Sequence, residues 1–326
     1  MRLFIVPSII SVAALAAAFL WGGVQMLFLV GLLAVLETTL SFDNAVVNAK
    51  VLAQMDAVWQ RRFLTWGILI AVFGTRFVLP VLIVAAAAGL SPIFVTQLAL
   101  FDPAAYGQHL AAAHVSIAAF GSAFLLMVSL KYFFNTQKTV HWIDMIEKRL
   151  PRWGGIEAIE IAIVLVALLL CAFLVPAEAA ALLMAGIIGI VLFIFIEGIA
   201  QSFAMEGASA AGGAALFVYL NVLDSAFSLD GVVGAFAVTS ALPAIIMGLG
   251  IGALFVRTFT VALVRAKTLE SLPYLEHGAH WAILGLALAM LVGIFVHVPE
   301  TITGLVGLVF VAFAYWSSRK AIQRAQ

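Results

Sequence analysis

Apolar runs of roughly twenty residues follow one another along nearly the whole chain, at 3–22, 24–47, 63–89, 111–133, 156–175, 179–203, 213–239, 243–264, 280–297 and 301–317. About 20 apolar residues in a helix cross the ~30 Å hydrocarbon core of a bilayer. In lipid only helices and closed barrels satisfy every backbone amide and carbonyl. The sequence therefore predicts an all-α, polytopic membrane protein of about ten transmembrane helices. With 65% of its 326 residues hydrophobic and 10% charged, it lies far from soluble domains, which are about a quarter charged. One transmembrane domain over 1–326 is expected, with little left over for a soluble one. Pro176, Pro243 and Pro299 fall in short connections, where a missing amide costs a helix little. The formal net charge of zero points to no nucleic-acid partner, and the lone Cys171 excludes an intramolecular disulfide.

Positive charge orders the runs. With the N-terminus in the cytoplasm, the segments on that side hold Arg2, Lys50, Arg61, Arg62, Lys138, Lys148, Arg149, Arg152, Arg265, Lys267, Arg319, Lys320 and Arg324. Lys131, at the end of the fourth run, can snorkel to the same side. The opposite connections, the long one at 90–110 included, carry no Lys or Arg. Such one-sidedness is the positive-inside pattern, and it predicts a bacterial inner-membrane protein with both termini cytoplasmic. The first run is read as a retained span. Its apolar part is long for a signal sequence, and Leu20-Trp21-Gly22-Gly23 offers no clear cleavage site.

Two arginines remain, Arg76 and Arg257, each inside a run that directly follows a repeated acidic motif. Glu37-Thr-Thr-Leu-Ser41-Phe-Asp43-Asn44 is echoed by Asp224-Ser-Ala-Phe-Ser228-Leu-Asp230-Gly231. Runs two and seven are an odd number apart and so cross in opposite directions. The chain is thus read as two inverted five-helix repeats, roughly 1–175 and 176–326, the symmetry of many secondary transporters. A charge at the bilayer centre costs about 2.5–3.5 kcal/mol on insertion scales, which makes these acids functional candidates. Inversion sets Glu37 and Asp224 at similar depth and displaces Asp43 and Asp230 by about 9 Å each in a regular helix. Either the motif unwinds near its serine, or the outer aspartates act as gates or proton carriers.

Glu37, Asp43, Asp224, Asp230, Asn44, Ser41 and Ser228 offer only oxygen ligands, and Asn221 shares the face of Asp224. Such a set suits hard or borderline divalent cations such as Mg2+, Ca2+ and Mn2+. Arg76 and Arg257 are expected to pair with the acids or to gate the site. Glu197 and Gln201, one turn apart in run six, either extend the site or bond two helices. Glu157 and Glu160 suit a helix N-terminus. His109, His114, His141, His277, His280 and His297 lie towards span ends and loops, where no special role is expected.

The two motifs resemble those of the TerC-like integral membrane proteins, named for tellurium resistance, and are most similar to a bacterial branch known as a domain of unknown function. The resemblance implies divalent metal transport, with manganese export and metal supply to exported enzymes among its roles. It also implies Glu37, Asp43, Asn44, Asp224 and Asp230 as the ion-handling residues. Gly231 stands where many relatives carry serine, and Ser41 where many carry glycine.

The expected function is export of a divalent cation, Mn2+ before Ca2+ or Mg2+, by alternating access. No enzyme activity and no permanently bound cofactor are expected. With no Walker sequence, an ion gradient should drive transport, most simply through protons as coupling ion. A non-transporting membrane factor that assists metallation or insertion of exported proteins fits the same residues, as does a small organic cation transporter. The partners are the metal ion and the lipid bilayer, with homo-oligomerisation left open.

Overall fold

The computed structural model describes residues 2–204, 210–296 and 298–325. Among them the secondary structure is helical throughout: α1 (Arg2–Leu40), α2 (Phe42–Leu52), α3 (Ala57–Leu69), a π-helix (Ile70–Val78), α4 (Leu79–Ala88), α5 (Pro92–Phe101), α6 (Pro103–Ala112), α7 (His114–Phe133), α8 (Asp144–Glu147), α9 (Ile159–Leu174), α10 (Ala179–Ala204), α11 (Ala210–Val238), α12 (Leu242–Arg265), α13 (Thr268–Ser271), α14 (Leu275–Gly293) and α15 (Glu300–Ala325). His297 lies outside the described residues.

Eight of the described helices are long and apolar enough to cross a membrane, or nine if the bent pair Asp144–Gly155 and Ile159–Leu174 forms one crossing. The first of the eight is folded on itself. Gly22 and Gly23 leave the helical region, Gly23 at φ 65, ψ −155, a conformation essentially reserved for glycine. Phe4 and Phe42 both lay their rings against Phe259, at 5.5 and 5.6 Å. A straight helix would hold those two residues roughly 55 Å apart. With α1 counted as two arms, the eight become nine, or ten if the bent pair is also a crossing. The chain is an all-α, polytopic membrane protein.

Helix directions follow from contacts along each pair. The motif span of the first half, made of the second arm of α1 and α2, meets α11 head to tail. Gly231 lies beside Glu37, and Tyr219 shares a wall with Val47 and Val51. α7 and α14 are likewise antiparallel, with Gly121 against Met290 and Tyr132 stacked on His280 at 3.6 Å. α12 runs alongside the first motif span in the same direction, Gly248 on Leu33 and Gly252 on Glu37. Side chains this small let backbones approach closely. The leading spans of the halves take different neighbours: the first arm of α1 packs on α12, whereas α10 packs on α7 through Gly189 and Phe193.

The connection between α7 and α9 is tied down by one buried carboxylate. Glu147 accepts hydrogen bonds from Lys138 Nζ (3.0 Å), the Trp142 amide (3.1 Å) and Trp281 Nε1 (2.8 Å), and pairs with His277 Nδ1 at 2.7 Å. Burial alone would raise its pKa, but the bonds from His277, Trp281 and Lys138 prevail and hold it well below the usual carboxylate range. The sequence reading assigned no role to His277, and the structure makes it a buried partner of this acid.

Candidate functional site

Each half places an arginine against the first acid of its motif. Arg76 Nη2 pairs with Glu37 Oε1, and Arg76 Nη1 donates to the Ala71 carbonyl at 2.8 Å. Arg257 Nη2 donates to Asp224 Oδ2 (3.1 Å) and Asn221 Oδ1 (3.2 Å), while Nη1 reaches the Phe63 carbonyl (3.3 Å). Gly67 leaves the space through which Arg257 passes, since a Cβ there would overlap its guanidinium. Intramembrane charges pair in this way because hydrocarbon offers no other solvation. The two arginines differ in setting: Arg76 sits in the π-helix, a form frequent at functional sites, whereas α12 is regular around Arg257.

Beside the first pair lies a cavity of about 50 Å³. Glu37, Ser41, Asp43 and Asn44 line it from the first motif span, Phe227, Asp230 and Gly231 from α11, and Gly304 and Gly307 from α15. A Cβ on Gly231 would stand 3.0 Å from Glu37 Oε2, and one on Gly307 3.4 Å from Asp43 Oδ2. The glycines therefore let the carboxylates approach the opposing backbone. Asp43 Oδ1 and Asn44 Oδ1 are buried and have no hydrogen-bond partner among the described residues. An unmet buried polar atom costs about 1–3 kcal/mol, so such atoms call for an explanation. A cavity needs about 10–15 Å³ per water, so this one has room for a few water-sized groups.

Of the expected ligands, Glu37, Ser41, Asp43, Asn44 and Asp230 come together. Asp224, Asn221 and Ser228, named beside them as candidate ligands, do not line this cavity. Arg257 takes Asp224 and Asn221, and the Ser228 hydroxyl donates to the Asp224 carbonyl at 2.8 Å. Unwinding is confined to Ser41 (φ −97, ψ 18), whose amide still bonds the Glu37 carbonyl at 3.0 Å. α11 passes through the second motif unbroken. Glu197 and Gln201 bond each other at 2.8 Å and face a different space. Among the described residues no three Asp, Glu, His or Cys side chains gather closely enough to enclose a metal ion. In this arrangement an ion in the cavity would meet Asp43, Asp230 and neutral oxygens, because Glu37 is taken by Arg76.

Two wider spaces flank the cavity. One, of about 490 Å³, is lined by Val47 and Lys50 of α2 and by Gln54 just beyond it, with Lys131, Glu197 and Glu276, at the end where basic residues cluster. The other, of about 610 Å³, takes Val233 and Phe236 of α11 and Ser240 just beyond it, with His114 and Gly293. Residues 43–54 thus run from the cavity towards one mouth, and residues 230–240 towards the other.

Sequence reasoning missed three features. Asn48 is fully buried with both amide atoms unbonded; the one signal was its spacing of four from Asn44. Thr75 and Ser225 join the halves through a 2.9 Å hydroxyl contact, which no pattern announced. Glu147 looked like any loop acid.

Residues 42–325 match the family described as a protein of unknown function, DUF475, and the chain belongs to it. No curated protein and no solved structure matches the chain.

Proposed function

We propose that this member of the DUF475 family is a secondary transporter that exports a divalent cation, manganese foremost, across a bacterial inner membrane with both termini cytoplasmic. The observation that carries the reading is the small buried cavity where two oppositely directed spans bring Asp43 and Asp230 together, beside unpartnered oxygens of Asp43 and Asn44. Two carboxylates without arginine partners match the charge of one divalent ion. Carboxylate, amide and hydroxyl oxygens suit Mn2+, Mg2+ or Ca2+. The motif resemblance to TerC-like proteins favours manganese among these. A space of about 50 Å³ favours a nearly bare ion over an organic cation.

Transport through such a site alternates between the two flanking mouths. Glu37 exchanges Arg76 for the incoming ion, which brings a third carboxylate to the site. Protons returning through Asp43 and Asp230 supply the coupling.

The test is Mn2+ uptake into everted membrane vesicles. Asp43→Asn and Asp230→Asn are each expected to lower the initial rate at least about ten-fold, since either removes a charged ligand. Wild-type rates in both variants reject the assignment. Purified protein in liposomes separates a transporter, which moves Mn2+, from a metallation or insertion factor, which moves none.

A further inference from the structure

α2 carries one more polar group than the cavity uses. Asn48 is 0% exposed, and neither Oδ1 nor Nδ2 has a hydrogen-bond partner among the described residues. Packing alone does not account for it. An apolar side chain of the same branched shape, such as leucine, would not strand a donor and an acceptor there.

Its place on the helix is informative. Positions 44, 47, 48 and 51 follow the i, i+3, i+4, i+7 spacing of a single helix face. Asn44 lines the cavity, and Val47 and Val51 line the mouth at the basic end. Asn48 falls between them on that stripe, about 6 Å along the axis from Asn44. Asn48 itself lines neither space, but its position on the helix falls between residues that do.

We propose that Asn48 is a second ligand station, distinct from the cavity, where a divalent cation exchanges a hydration water for the amide oxygen while passing between the basic mouth and the cavity. This rests on the cation-transport reading above. Asparagine carbonyls are ordinary ligands for hard cations. A neutral oxygen also suits a transit point, because a stepping site has to bind well enough to admit the ion and weakly enough to release it.

The full-length protein is purified with Asn48→Leu and Asn48→Asp, and three quantities are compared with wild type: unfolding midpoint in detergent, Mn2+ affinity by titration, and Mn2+ flux in liposomes. Asn48→Leu is expected to unfold at the wild-type midpoint or above, to keep its affinity within roughly three-fold, and to lose flux roughly ten-fold, as expected when a bond to a charged group is removed. Asn48→Asp is expected to keep an oxygen ligand and hold Mn2+ longer, slowing release. An Asn48→Leu protein with wild-type flux overturns the station and leaves the transport reading standing. One that unfolds more readily than wild type also overturns it, because a structural role then accounts for the residue. If wild-type protein itself neither binds nor moves Mn2+, the transport reading fails and the station fails with it.

Discussion

A carboxylate at membrane depth is compensated either by a cationic side chain or by a mobile cation. Glu37 and Asp224 have the first, in Arg76 and Arg257; among the described residues Asp43 and Asp230 have no such partner. The two kinds should respond differently to mutation. Arg257→Met strands Asp224 and is expected to lower stability by about 3–5 kcal/mol, seen as a fall in the detergent unfolding midpoint that Asp224→Asn largely reverses. Asp43→Asn strands nothing and is expected to hold or raise that midpoint while transport is lost. The sequence separated Glu37 and Asp224 from the two outer aspartates by depth and expected the arginines to pair with acids, but spacing does not show which acid an arginine reaches. Asn48 was hidden for a similar reason: a single amide in an apolar run reads as a bond between helices until its surroundings are known.

Between residue and bundle, two elements hold the site's surroundings in place. α12 presents Gly252 to Glu37 so closely that any Cβ would overlap its Cβ and Cγ. Gly252→Val is therefore expected to push Glu37 from Arg76 and lower both unfolding midpoint and Mn2+ uptake, whereas the same change at Gly31, with nothing nearby, should do neither. The second element is the segment that Glu147 fastens to α14. Its carboxyl is held below the ordinary 4.5, so its contribution is complete above that value. As pH falls below it, the unfolded chain binds a proton that the folded chain refuses, and the contribution fades towards the folded pKa. Glu147→Gln is expected to speed backbone hydrogen exchange across 134–158 about ten-fold at pH 7, with a smaller difference from wild type below about pH 4. No pattern in the sequence marked this fastening, because the partners that tie it to α14, His277 and Trp281, are distant along the chain.

For the molecule as a whole, the all-α, many-spanning architecture and the opposed directions of the motif spans could be read directly. Each depends on run length and on which connections carry lysine and arginine. The seating of the leading spans could not be read, since an apolar helix surface fits many neighbours; Ala18 of the first arm and Gly189 of α10 chose different ones. If the halves rock against each other, the Thr75 and Ser225 hydroxyls, 2.9 Å apart, mark where a bond would stop them. Thr75→Cys with Ser225→Cys, in a Cys171→Ser background, is expected to form a disulfide that suppresses Mn2+ uptake and releases it on reduction. Full uptake in the oxidised form would show that these spans need not separate. The fold at Gly22 and Gly23 governs how the protein is made as well as its shape. Two arms joined by a pair of glycines leave no charged stretch at the far surface, so the translocon is expected to take them in as one helical hairpin. Lengthening the second arm's wait, by slowing synthesis just past codon 23, should leave the nascent chain half-inserted and exposed to quality-control proteases.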